Sequence, residues 1–148
     1  MKHILALCLL SVPLATRAAT YEERGVAAVL MGEAWSDGIR GMTAVADVIH
    51  QRSLEKRETP LTVISQRHAF SSLNGTTLDR LIAKFSLEPD FQKALQLAKL
   101  ACESPQSLPD LTNSATHYTR STERPYWARG HRPVAVVGRH AFYRLDHY

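Results

Sequence analysis

The sequence predicts an α+β fold, with helices first and a small antiparallel sheet last. Apolar residues recur at helical spacing as far as Cys102, and beyond Pro109 short runs rich in valine, threonine and aromatic residues take over. At 148 residues, 45% hydrophobic and 22% charged, the chain has room for one globular domain. That excludes a multidomain enzyme and a fold built on a large cofactor domain. The chain shows no internal repeat and no low-complexity tract.

Met1-Lys2-His3 is a short basic start, Ile4 to Ala15 is almost wholly apolar, and Thr16-Arg17-Ala18-Ala19 supplies small residues around a cut after Ala18. This is the build of a secretory signal peptide over residues 1–18, too short for a membrane span. It implies a secreted or periplasmic domain over residues 19–148 that touches the membrane only transiently, through the leader. Losing Lys2 and Arg17 lowers the formal charge from +4 to +2. Losing Cys8 leaves Cys102 without a disulfide partner, so a hydrophobic core must hold the domain, expected as a monomer.

Thr20-Tyr21-Glu22-Glu23 reads as a capping box, and Val26, Val29, Leu30 and Ala34 carry a first helix to about Trp35. Ser36-Asp37-Gly38 breaks it and caps a second helix, in which Met42, Val45, Ala46 and Ile49 share a face. Thr59-Pro60 opens a short helical turn through Ile64. Gln66 to Thr77 has no helical period, and Asn74-Gly75 marks a turn. Thr77 caps a helix with Leu78, Leu81, Ile82 and Phe85 in line. Pro89 suits the first turn of another, with Phe91, Ala94, Leu95, Ala98, Ala101 and Cys102 as its stripe and Pro105 as its end. Ala115–Thr119, Val134–Val137 and, beyond Gly138, His140–Arg144 read as strands.

Glu33 follows Val26, Val29 and Leu30 by seven, four and three residues, which puts it on the apolar side of the first helix. An unpaired carboxyl there is partly desolvated, and desolvation raises its pKa. A carboxylic acid still protonated near neutral pH is what a glycosidic oxygen needs from a general acid. The alternatives are an ion pair with Arg40 or a helix end in water. Asp37, one turn on, is a candidate second carboxylate, but its place between Ser36 and Gly38 points to helix capping. His68, His117, His131 and His140 form no HxxxH or HExxH pair, so no metal and no cofactor is expected. Ser71, His117 and Asp110 would compose a triad, yet no GxSxG elbow accompanies them.

From Leu111 on, six arginines face only Glu123 and Asp146, among Tyr118, Tyr126, Trp127, Phe142 and Tyr143. Aromatic faces stack on sugars, and arginines meet carboxylates bidentately. Peptidoglycan offers amino sugars and acidic peptides together. Single-stranded RNA would suit the same composition, but an export signal argues against a nucleic-acid partner.

Met31-Gly32-Glu33-Ala34, followed by Gly41-Met42-Thr43-Ala44-Val45-Ala46-Asp47-Val48-Ile49-His50-Gln51-Arg52, resembles the opening of the SleB-type cell wall hydrolases, which include the spore cortex-lytic enzymes. Ala69-Phe70-Ser71 is similar to the family's Phe-containing loop. Ala115-Thr116-His117-Tyr118, Pro125-Tyr126-Trp127-Ala128 and Val137-Gly138-Arg139-His140-Ala141-Phe142-Tyr143-Arg144 resemble its C-terminal signature. The likeness runs from about Glu22 to Arg144. It departs at Trp35-Ser36-Asp37, at the His50-Gln51-Arg52 ending and at Ser72-Leu73, which bear on substrate preference.

The resemblance implies a small lysozyme-like, lytic-transglycosylase-like domain acting on peptidoglycan glycan strands at the MurNAc–GlcNAc β-1,4 bond. Glu33 matches the catalytic glutamate; Phe70, Ser71, His117, Tyr118 and Trp127 fall in the stretches that line the glycan groove. A lytic transglycosylase needs one carboxyl group, because the sugar supplies its own nucleophile. An N-acetylmuramoyl-L-alanine amidase and a non-catalytic peptidoglycan-binding envelope protein are the alternative readings.

Overall fold

The computed structural model describes residues 17–145. The proposed leader lies outside the described residues except for Arg17 and Ala18. Five helices, α1 (Tyr21–Ala34), α2 (Gly38–Lys56), α3 (Pro60–Ser65), α4 (Leu78–Phe85) and α5 (Phe91–Glu103), precede three strands, β1 (His117–Arg120), β2 (Ala135–Val137) and β3 (His140–Tyr143). The α+β reading holds.

Helix α1 is the axis of the domain. Val26 to Met31 are all buried, so the helix is apolar nearly all round and α2, α3, α4 and α5 pack about it. Its start is the expected capping box: Glu23 N donates to Thr20 Oγ1 at 3.2 Å, and Thr20 N to Glu23 Oε2 at 2.8 Å. Buried Glu23 also pairs with Arg17, which reaches Glu103 as well. Thr59 and Thr77 cap α3 and α4 through their side chains, as their positions before Thr62 and Arg80 suggest. Pro89 differs from expectation. It lies in the turn before α5, which starts at Phe91, and the Asp90 carboxylate takes Trp35 Nε1 and Lys93 Nζ instead of capping.

The sheet runs β1-β3-β2, all antiparallel, with Tyr118 opposite Phe142 and Val136 opposite Ala141. Ala44 and Val48 of α2 pack on Ala115, Val137 and Phe142, which seats the sheet on the helices. Buried Asp47 fixes the approach to β1 by accepting from Thr112 N (3.1 Å) and Thr112 Oγ1 (2.6 Å). The first strand starts two residues later than the sequence suggests, at His117; just before it Thr116 donates its N–H to Tyr143 O and bonds the Leu145 backbone through its hydroxyl.

Candidate active site

Gly32 leaves the surface of α1 bare beside Glu33. A Cβ there would lie 2.5 Å from Ser72 Cβ, so the missing side chain lets the 3-10 turn Ser71–Leu73 close onto the helix. Closure brings Ser72 N to 2.6 Å from Glu33 Oε1, and Ser71 Oγ to 3.2 Å from Oε1 and 3.1 Å from Oε2. From β1, the Tyr118 hydroxyl donates to Oε2 at 2.9 Å. Three segments far apart in sequence therefore meet on one carboxyl group. Burial, and next the Glu33 charge, push the Tyr118 phenol well above its usual pKa, so it keeps its proton and donates.

Arg52 aligns two of these segments. Its guanidinium donates from Nε to Thr116 O (2.7 Å) and from Nη1 to Ala69 O (3.3 Å), and lies 5.2 Å from the Phe70 ring centroid. Each carbonyl is two residues upstream of a Glu33 partner, Tyr118 and Ser71 respectively. The Arg ending the second helix's motif thus braces the site from behind.

Glu33 and Tyr118 open on a cleft of about 870 Å³. Its helical wall includes Gly32, Trp35, Lys84 and Phe85, and its sheet wall runs from Tyr118 to Glu123 and on to Trp127. Trp127 is held edge-on against Tyr143 at 5.5 Å and tilted on His117 at 5.2 Å. Trp35 is 39% exposed, with its ring perpendicular to Phe85 at 6.1 Å and its indole N–H on Asp90.

Several expectations change here. Glu33 is half-exposed on the cleft and surrounded by donors, rather than desolvated on the apolar side, and it makes no ion pair with Arg40. Phe70 is 2% exposed and belongs to the main core; it does not line the cleft. His117 lies behind Trp127, half-buried; burial, with Arg52 and Lys56 nearby, pulls its pKa down to about 4, so it is neutral at neutral pH. Ser71, Tyr118 and Trp127 do line the cleft or touch Glu33.

Asp37 is not a capping side chain. It accepts from Arg139 Nε (2.9 Å), Arg139 N (3.4 Å) and His140 Nδ1 (2.9 Å), and Arg139 also reaches Ser36. Burial opposes ionisation, yet Arg139 and His140 outweigh it and hold the Asp37 carboxyl below its usual pKa. The link pins the β2–β3 turn to the α1–α2 junction. Gly138 makes room for it, since a Cβ would stand 2.7 Å from Asp37 Cγ and the backbone is at φ +57°. The triad drawn from sequence is not assembled: Ser71 serves Glu33, and Asp110 accepts from Thr112 N and Ser114 N. No group of three histidine, cysteine, aspartate or glutamate side chains converges among the described residues. Sequence reading missed Trp35, Lys84 and Arg120 as cleft residues; only the departure at Trp35 signalled anything unusual there.

The cell wall hydrolase family model matches residues 36–143, most of the chain and most of this architecture. The chain belongs to the cell wall hydrolase family. It is accordingly a peptidoglycan-lytic enzyme. The match starts just after Glu33, so the role of that residue rests on its geometry and on the motif around it. Among solved structures, the chain is similar to the catalytic domain of the germination-specific lytic transglycosylase SleB from Bacillus anthracis. The identity is 23%, the likeness covers 90% of this chain and 100% of that one, and the TM-score is 0.66, which speaks to the fold. No match was found among the sequences of curated proteins.

Proposed function

We propose that this cell wall hydrolase cleaves the MurNAc–GlcNAc β-1,4 bond as a lytic transglycosylase, with Glu33 as its single acid–base group. The observation that carries this is the Glu33 carboxyl group, set in the cleft with hydroxyl and amide donors around it, while Asp37 is committed to Arg139 and His140 and the exposed Glu123 on the sheet wall accepts only from Thr119 Oγ1 among the described residues. Glu33 gives its proton to the glycosidic oxygen as the bond to C1 of MurNAc breaks. The resulting carboxylate then takes the proton of the C6 hydroxyl while O6 closes on C1, forming the 1,6-anhydro ring and restoring the acid. No water is consumed and no second carboxylate is required.

The donor set separates the two oxygens. Oε1 faces the Ser72 N–H at 2.6 Å, a group that can only donate. The nearest neighbours of Oε2 are hydroxyls, Ser71 Oγ and Tyr118 Oη, which rotate between donating and accepting. Oε2 is therefore the oxygen suited to hand over and take back the catalytic proton, because the Tyr118 and Ser71 hydroxyls can re-aim as it leaves and returns. Ser71, Tyr118 and Trp127 contact the glycan at the cleft; Phe70 and His117 support it from the core and from behind Trp127. A leader over residues 1–18 delivers the domain to the wall.

Clearing of purified sacculi tests the reading. The Glu33→Gln protein should lose about a hundred- to ten-thousandfold in rate, the range for a general acid. Retained clearing by this variant would remove Glu33 from the chemistry.

A further inference from the structure

The cleft walls carry the basic side chains Arg52, Lys84, Arg120 and Arg139 against the carboxylates Glu33 and Glu123. Two of the four are committed: Arg52 to the Thr116 and Ala69 carbonyls, Arg139 to Asp37 and Ser36. Lys84 and Arg120 form no salt bridge among the described residues, and both are exposed. They come from different walls. Lys84 lies in the last turn of α4 with its ammonium 4.9 Å from the Phe85 ring centroid, and that ring stands perpendicular to Trp35. Arg120 lies two residues beyond Tyr118 on β1, and strand alternation puts both on the same side of the sheet. Two cations without a salt bridge among the described residues thus stand on opposite walls of the cleft that holds Glu33. N-acetyl sugars have no charge for them to meet; in peptidoglycan the carboxylates belong to the stem peptide and, where that has been removed, to the bared lactyl group.

We propose that Lys84 and Arg120 bind stem-peptide carboxylates, so that the cleft selects peptide-bearing glycan strands. This rests on the peptidoglycan reading above. The attraction acts at the solvent-exposed rim, so it depends on ionic strength and appears in binding rather than in bond cleavage.

The test compares uncrosslinked peptide-bearing strands, amidase-denuded strands with free lactyl carboxylates, and denuded strands whose lactyl carboxylates are capped as methylamides. On the peptide-bearing strands, Lys84→Ala and Arg120→Ala should each raise KM about two- to fivefold with kcat unchanged, and together about tenfold. Added salt should raise the wild-type KM and leave that of the double variant nearly constant. Lys84→Arg and Arg120→Lys should restore most of the loss, and the capped strands should not distinguish any variant from wild type. A loss equal on free-lactyl and peptide-bearing strands would overturn the stem as the source and assign the lactyl carboxylate. Equal KM for all variants on every strand, or a loss shared by the capped strands, would overturn carboxylate recognition altogether. Wild-type inactivity on all three would instead remove the peptidoglycan reading. Binding of the three strands to Glu33→Gln carrying the same substitutions gives the same comparison without turnover.

Discussion

At the scale of single residues, the site depends on how Glu33 is held. Tyr118 supplies the contact to Oε2 that must loosen and re-form as the proton moves. Tyr118→Phe removes that hydroxyl while keeping the ring against Phe142 and His140. A hydrogen bond to a charged group contributes about 1.5–3 kcal/mol, so kcat should fall about ten- to a hundredfold with KM nearly unchanged. Steady-state kinetics on soluble glycan strands reads this directly, and an unchanged kcat would mean that Tyr118 only packs. Glu33 itself was legible in the sequence, because its Met31-Gly32-Glu33-Ala34 step resembles the one that carries the family's catalytic glutamate. Its surroundings were not. The helical pattern placed it toward the core, whereas it lies near the C-terminal end of α1, where the helix passes out of the core and opens on the cleft.

At the scale of elements, two glycines leave room for neighbouring side chains, Ser72 at Gly32 and Asp37 at Gly138. At Gly32 the Ser71–Leu73 turn touches α1, and Gly32→Ala must drive that turn off Glu33. Overpacking of this kind costs about 1–3 kcal/mol, so the variant should fold with a lowered Tm and lose activity out of proportion to it. Comparing thermal melts with sacculus clearing checks both. Gly138→Ala combines an unfavourable φ with a clash on Asp37, and should destabilise the protein by about 1–3 kcal/mol while loosening the β2–β3 turn. Helix boundaries and caps were legible here because Thr20, Thr59 and Thr77 act within three residues. The Asp37 link was not, since its partners Arg139 and His140 stand about a hundred residues away and nothing local distinguishes that carboxylate from a cap. Phe70 failed for a related reason: nothing in a segment without helical period marks its ring as buried against Arg52.

At the scale of the whole molecule, burial of histidines sets the response to pH. The folded chain holds His117 at about 4 against 6.5 when free, and burial lowers His50 as well. Between those values the unfolded chain binds more protons, so stability rises with pH there and is lost as pH falls from about 6.5 toward 4. Asp37, held below its usual pKa, adds a further loss once pH drops below about 4. Melting temperatures should be level near neutrality and decline across that window, and His117→Gln should flatten the decline. Buried Asp47, its pKa raised by desolvation, acts in the opposite sense in both proteins, so an identical Tm profile for wild type and His117→Gln would contradict the buried neutral imidazole. The overall plan, helices then sheet, was visible from periodicity alone, because each period reports which face of an element is buried. The cleft was not, because it forms only where α1, the Ser71 turn and β1 converge.

The central claim, that Glu33 alone drives ring closure by the sugar's own hydroxyl, is decided by the chemistry of the released ends. Mass spectrometry of the soluble products from purified sacculi should show muropeptides ending in 1,6-anhydro-MurNAc, and none from the Glu33→Gln protein. Products ending only in reducing MurNAc, heavier by one water, would show that a water and not O6 attacks C1, and would contradict it.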